Sequence, residues 1–220
     1  MQLKMTLDDH LHCPLCAESK IEHYHSDKQR DYFLCSTCAL VFVPPTQQLD
    51  LQQQKTIYDH HQNDVHDQGY RKFLSRLAIP LSARLLPGAS GLDFGCGPGP
   101  ALSSMLKEQG FPTAIYDPIY ADYPEVLQGR YDFVCCTEVV EHFTEPGLEF
   151  SRLFSMIKPQ GILAIMTKRV IDQQAFAQWH YKIDPTHVCF FSDKTFLWLA
   201  DRYRCQIEFI DRDVVILSRS

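Results

Sequence analysis

Two groups of residues have the types and spacing to do chemistry. Cys13 and Cys16 form one Cys-x2-Cys knuckle, and Cys35 and Cys38 form a second after an 18-residue spacer. Knuckles so spaced can set four thiolates tetrahedrally around one Zn²⁺, as in a zinc ribbon. With every ligand position filled by cysteine no coordination site stays open, so the expected ion is structural. The second group is the turn Leu92-Asp93-Phe94-Gly95-Cys96-Gly97-Pro98-Gly99-Pro100. Glycines there permit a close backbone approach that a β-carbon would block, and a helix leaving such a turn offers its N–H groups to a ligand. Twenty residues after Gly97, the apolar run Thr113-Ala114-Ile115-Tyr116 ends at Asp117, a place from which a carboxylate can hold both hydroxyls of a ribose. A nucleoside cofactor is therefore expected.

The elements that must position these groups follow from the pattern around them. Tyr32-Phe33-Leu34 reads as a short strand entering the second knuckle and Leu40-Val41-Phe42-Val43 as one leaving it. Pro44-Pro45-Thr46 closes the module, and the glutamine-rich Gln47 to Gln54 reads as a linker. Tyr70, Phe73, Leu74, Leu77 and Leu81 recur at helical spacing, with Pro80 expected to kink or end the helix. His60, His61 and His66, interleaved with Asp59, Asp64 and Asp67, are expected to form a solvated segment over the cofactor cleft rather than a second metal site. Ser90 to Phe94 enters the glycine turn as a strand, and Ala101 to Gln109 leaves it as a helix. The organisation expected is a zinc-ribbon module over 1–45, a linker and N-terminal helical lid over 46–89, and an α/β domain over 90–220.

Composition narrows the classes. The chain has 220 residues, 45% of them apolar, enough for one main core and a small appendage. A formal charge of −6 and an isoelectric point near 5.9 give no general attraction for phosphodiester backbones, so nucleic acid is not an expected partner. No apolar run approaches the roughly 18 residues of a membrane-spanning helix, so no membrane insertion is expected. Cys96, Cys135, Cys136, Cys189 and Cys205 sit in apolar or glycine-rich surroundings rather than in a disulfide framework, which reads as a reducing compartment and a cytoplasmic location. Oligomeric state is not legible.

A dinucleotide fingerprint would want its third glycine at position 100, where this chain has Pro100, and the oxidoreductase reading is disfavoured for that reason. The turn from Leu92 to Gly99 instead resembles the first motif of class I S-adenosylmethionine-dependent methyltransferases. Asp117, the run from Tyr131 to His142, and the segment Leu153-Phe154-Ser155-Met156-Ile157-Lys158-Pro159-Gln160-Gly161 match the later motifs in order. The resemblance covers about Gly91 to the C-terminus. It implies a Rossmann-like seven-stranded sheet with S-adenosylmethionine across the carboxyl ends of its first strands. On that likeness Asp93, Gly95, Cys96, Gly97 and Gly99 belong to the cofactor turn and Asp117 holds the ribose. Pro118 and Ile119 lie near the adenine, and Thr137, Glu138 and Val139 face the methionine and sulfonium. Only 13 residues separate Asp117 from Tyr131, so the third strand is expected to be abbreviated or absent, with adenine recognition left among Ile119, Tyr120 and Tyr123.

Lys168 to His187 sits where this family places its substrate cap. Asp193 to Tyr203 reads as a helix started by Ser192, and Cys205–Ile210 with Val214–Ser218 as a closing hairpin. A sulfonium methyl is already activated, so the enzyme need only align the acceptor and, where required, remove a proton. His142, His180 and His187 lie in loops able to reach the cleft, and His142 and His187 are the first candidates for that base, with Glu138 or Glu141 to orient them. A small or lipid-like acceptor is favoured by the acidic balance, by the absence of a basic run longer than Lys168-Arg169, and by the aromatics Trp179, Tyr181, Phe190 and Phe191 in the cap region, with core filling the other reading of Phe190 and Phe191. A zinc-bearing ribosomal RNA methyltransferase and a non-catalytic S-adenosylmethionine-binding or zinc-dependent interaction protein are the alternatives.

Overall fold

The computed structural model describes residues 11–59 and 64–219; His60 and His61 lie outside them. The chain opens with an antiparallel sheet of β1 (Ile21–Ser26), β2 (Asp31–Cys35) and β3 (Val41–Phe42), with one cysteine knuckle before β1 and the other at the β2–β3 turn. Gln47 to Gln54, glutamine-rich like a linker, is tied down at both ends. Gln47 bonds to both the backbone and the side chain of Asp31, and Gln48 donates to the Val43 carbonyl. Asp50 and Gln53 then form a reciprocal capping box that starts α1 (Leu51–Tyr58). Helix α2 (Gln68–Ser82) buries Leu74, Leu77, Ala78 and Leu81, the stripe its spacing predicts. Pro80 does not end it. The proline falls in the last turn, where a missing N–H costs only one hydrogen bond before the helix stops anyway.

The α/β part follows as β4 (Gly91–Phe94), α3 (Ala101–Glu108), β5 (Thr113–Tyr116), β6 (Tyr131–Thr137), α4 (Pro146–Met156) and β7 (Ile157–Met166). After these come α5 (Gln173–Ala177), β8 (Cys189–Phe190), α6 (Asp193–Tyr203), β9 (Cys205–Ile210) and β10 (Val214–Arg219). Six strands make the main sheet in the order β5-β4-β6-β7-β10-β9, parallel except for the antiparallel β10 and β9. This is the expected Rossmann-like α/β sheet with its third strand missing. Residues 117–130 are used up by an Asp117–Ala121 bridge and a 3₁₀ turn at Pro124–Gln128, too little chain for a crossover helix and a strand.

Side chains alternate across the sheet. Phe133 and Cys135 of β6 join the core under α2 and α3, whereas Val134 and Cys136 join the core under α4 and α6. The second core continues without a break into the cysteine module: Tyr32, Leu40 and Phe42 are buried in one cluster with Phe150, Phe190 and Phe196. The reason is topological. Strand β8, from the segment between β7 and α6, pairs with β3 through Val41↔Phe190 and Phe42↔Cys189, making it the fourth strand of the small sheet.

The first knuckle also rests on α4. Gly147 donates its N–H to the Pro14 carbonyl at 3.1 Å, and a β-carbon built on Gly147 would lie 2.7 Å from the Leu15 carbonyl oxygen. Gly147→Ala must push the knuckle off the helix, and a loss of about 1–3 kcal/mol is expected, as for other overpacked sites. Urea denaturation of the metal-loaded protein measures it; an unchanged midpoint would show that the knuckle does not bear on α4.

Candidate functional site

The four cysteine sulfurs converge. Their ligand atoms all lie within 4.8 Å of one another, with Cys13–Cys38 at 3.4 Å and Cys16–Cys35 at 3.5 Å. A tetrahedron of about 2.3 Å zinc–sulfur bonds has edges of about 3.8 Å, so this set closes around one ion with little movement. The backbone supports the knuckles: Ala17 and Ala39 adopt positive φ of 61° and 57°, and their N–H groups return to the Cys13 and Cys35 carbonyls. The cluster supplies the ligand set for a metal.

A cavity of about 1030 Å³ opens at the carboxyl ends of β4, β5 and β6. At one end is the glycine turn. Gly95 has φ +75°, and its missing β-carbon leaves room for Val139, whose methyl would lie 2.5 Å from that atom. Gly95 and Cys96 donate to the Tyr116 carbonyl, which ties the turn to the neighbouring strand. Asp117 accepts from Gly97 N at 3.0 Å through one oxygen, and from Ile119 N and Tyr120 N at 2.9 and 3.0 Å through the other. Three of about four acceptor positions of the carboxylate are thus filled, so a ribose diol would replace at least one of these bonds. Thr137 also lines the cavity, and its buried hydroxyl has no partner among the described residues. An orphaned hydroxyl beside a cradle that has no space for a β-carbon suits a polar ligand held along the turn.

Of the residues expected at the cofactor, Gly95, Cys96, Gly97, Asp117, Pro118, Ile119, Thr137, Glu138 and Val139 all line this cavity. Asp93 and Gly99 do not. Asp93 is buried beneath the turn, accepting from Ser103 N at the start of α3, and burial pushes its carboxyl up to about 7. Among the adenine candidates Ile119 and Tyr120 reach the cavity, whereas Tyr123 is half exposed elsewhere.

The other end is polar and largely buried. Glu138, held at φ +52° where β6 ends, and Glu141, fully buried, flank the Tyr181 hydroxyl, with Thr167 bonded to Glu141 at 3.0 Å. Burial pushes Glu141 up to about 7, and burial with the neighbouring Glu141 charge pushes Glu138 up to about 8. His142 and His187 both line the cavity with ring centroids 4.8 Å apart, while His180 is exposed, with Lys168 at 2.9 Å. His187 sets its Nδ1 2.7 Å from the Tyr181 carbonyl, an oxygen that can only accept, so the ring proton belongs on Nδ1 and Nε2 carries the lone pair. Burial first, then His142, holds His187 down at about 4, and the ring is neutral near pH 7. His142 Nδ1 lies 3.2 Å from the Thr186 carbonyl and 3.1 Å from the Tyr58 hydroxyl of α1. Glu141, His142 and His187 bring one ligand atom each within 4.8 Å, although both Glu141 oxygens are already engaged by Tyr181 and Thr167.

Sequence reasoning missed part of the wall. Of the cap aromatics only Tyr181 lines the cavity; Phe190 and Phe191 are core, and Trp179 stacks behind Tyr181 and Phe190. The aromatic lining comes instead from Tyr58, Tyr70, Phe73, Phe94, Tyr116 and Phe143. The amphipathic stripe of α2 could have exposed Tyr70 and Phe73 as its edge; nothing in the glutamine-rich segment pointed to Tyr58.

Residues 58–208 match the family described as a methyltransferase domain. The ubiquinone biosynthesis O-methyltransferase of Rhodopseudomonas palustris (strain TIE-1) is 31% identical over 47% of this chain and 48% of its own length. The biotin biosynthesis bifunctional protein of Bordetella avium (strain 197N) is 26% identical over 49% of this chain and 26% of its own. The chain spans about half the length of the ubiquinone-pathway relatives it matches. Among solved structures, the 1,6-didemethyltoxoflavin-N1-methyltransferase of Burkholderia thailandensis superposes with a TM-score of 0.53 and 13% identity, covering 90% of this chain and 97% of that one. A methyltransferase of Archaeoglobus fulgidus gives 0.51 at 17%, covering 68% and 94%. At such identities the likeness is one of fold.

Glu138 and Glu141 give the site a pH signature. An acid raised in the folded state favours folding fully below the ordinary 4.5, and that contribution is lost as the pH climbs through about 7 for Glu141 and about 8 for Glu138. Glu141→Gln, neutral throughout, should therefore flatten the fall in melting temperature between about pH 5 and pH 8. Circular-dichroism melts across that range check it; an equal fall in the variant would mean that Glu141 is already ionised at the acidic end.

Proposed function

Because the chain belongs to the methyltransferase-domain family, we propose that this S-adenosylmethionine-dependent methyltransferase acts on a small-molecule acceptor, by direct in-line transfer to an oxygen. The observation that carries this is the single cavity running from the glycine turn to the Glu138–Tyr181–His187 end, with aromatic walls and a volume in the range of small-molecule sites. Its charged lining favours neither RNA nor a polyanion: Asp117, Glu145, Glu149 and Asp184 outnumber Lys55, Arg152 and Lys168 even with Glu138 raised toward neutrality. The curated relatives named above act, by their names, in making ubiquinone and biotin, which is consistent with a small acceptor.

When bound, S-adenosylmethionine supplies a methyl group already activated by its sulfonium. The chain's part is to hold and align. Backbone at Gly95, Cys96 and Gly97 would hold the methionine portion, Asp117 would receive the ribose hydroxyls, and Pro118 and Ile119 would hold the adenine. Thr137, Glu138 and Val139 face the sulfonium end. A hydroxyl acceptor gives up its proton to His187, neutral with its Nε2 lone pair available, or to His142 beside it. The cysteine module is a zinc ribbon whose single structural Zn²⁺ holds the knuckles together, and its thiolates suit the reducing cytoplasm.

Two measurements test this. Calorimetric titration should show saturable binding of S-adenosylmethionine and none of NAD, and Asp117→Ala should weaken it roughly 10- to 100-fold, the worth of charge-assisted hydrogen bonds; undiminished affinity would remove Asp117 from the ribose site. Incubation with a panel of small hydroxylated aromatics, and separately with ribosomal RNA, should yield S-adenosylhomocysteine only with the former. Methyl transfer to RNA alone would overturn the small-molecule reading.

A further inference from the structure

Arg30 sits in the turn between β1 and β2, at only 6% exposure, far in sequence from the cavity. Its guanidinium donates to four carbonyls of one loop: Nη1 to Pro185 at 3.0 Å and His187 at 2.9 Å, Nη2 to Asp184 at 3.0 Å and to Lys182. Asp27 fixes the arginine in turn. One Asp27 oxygen accepts from Gln29 N and Arg30 N; the other accepts from the Tyr32 hydroxyl at 2.7 Å and lies 3.6 Å from Lys182 Nζ. The loop so gripped carries Asp184 and His187 on the cavity wall and follows directly on Tyr181. Its far end is held too, with Val188 N donating to the Glu141 carbonyl and Val43 N to the Val188 carbonyl.

We propose that Arg30 is a positioning residue for the acceptor end of the cavity, so that the cysteine module braces from behind the loop that walls the acceptor site. The inference rests on the reading that the His187 end takes the acceptor. None of the hydrogen bonds of Arg30 reaches the glycine turn or Asp117, so its influence is confined to one half of the site. Lys182 lies in the short 3₁₀ turn His180–Ile183 and the other three carbonyls lie beyond it, outside any strand or helix, and an arginine fork can take several oxygens at once where a lysine point charge cannot. A module that looks like an appendage thereby sets the distance between His187 and the cofactor.

The test compares full-length, zinc-loaded wild type with Arg30→Gln and Arg30→Lys by hydrogen exchange, S-adenosylhomocysteine calorimetry and, with an acceptor found by screening, steady-state kinetics. Arg30→Gln should speed exchange over 182–188 about tenfold or more while leaving 91–97 and 113–120 as in wild type. Zinc content should stay at one per chain, S-adenosylhomocysteine affinity should change less than about twofold, and KM should rise for the acceptor but not for the cofactor. Arg30→Lys should fall between. Unchanged exchange over 182–188, or equal acceleration everywhere with loss of cofactor affinity, would overturn the proposal. Should Arg30→Gln not fold, Asp27→Ala, which removes the acceptor of the Gln29 and Arg30 N–H groups and so loosens the arginine without removing it, is read by the same criteria. Failure of wild type to bind S-adenosylhomocysteine would sink the functional reading alone, because the exchange comparison judges Arg30 independently.

Discussion

A guanidinium taken out of water must find an oxygen for nearly every N–H it carries, because leaving a charge buried and unbonded costs more than any packing around it returns. Arg30 meets that demand with the carbonyls of residues 182–187, and much else follows from the solution. The loop bends around the charge, which brings β8 alongside β3 and merges two sheets into one core. The same bend turns the Tyr181 carbonyl toward His187 and leaves the Tyr181 hydroxyl between two carboxylates. Of the guanidinium nitrogens only Nε is left without a partner among the described residues. The small sheet therefore shares its core with the α4 and α6 side of the main sheet.

The cofactor end is organised by backbone rather than charge. Parallel strands end side by side, so their loops converge on one crevice, and the glycine turn lies close enough to β6 that Val139 occupies the place of a Gly95 side chain. Asp117 works as a local clamp: its three backbone donors tie the end of β5 to the glycine turn. The missing third strand leaves this clamp, with its short bridge to Ala121, to close the sheet edge.

At the other end burial does the chemical tuning. Burial raises both carboxyl groups around the Tyr181 hydroxyl, with the Glu141 charge adding to the rise of Glu138, while burial keeps a nearby histidine neutral. Near pH 7 Glu138 is mostly protonated and Glu141 partly so, which leaves this end without a strong field of its own. Lys168, stacked over Tyr181, lies at the edge of the same cavity and counters part of the carboxylate charge.

By itself the sequence determined what rests on short-range pattern. Cysteine spacing specified the four-sulfur cluster, since ligands within two tight turns can hardly avoid meeting. Apolar periodicity with glycine and capping residues specified β4, α3, β5, α6 and the final hairpin, because their local preferences agree with their burial. Set against the methyltransferase resemblance, the 13-residue gap after Asp117 implied a third strand abbreviated or absent. Tertiary structure decided what rests on long-range contact: that Asp93 lies under the turn and not on the cavity, that Phe190 and Phe191 are core, and that Tyr58 reaches His142 from α1. It also decided the joining of the cysteine module to the cap, through an arginine and carbonyls more than 150 positions apart. Backbone carbonyls have no signature in sequence, so an interaction in which a side chain meets only main chain becomes visible when the fold brings the two together.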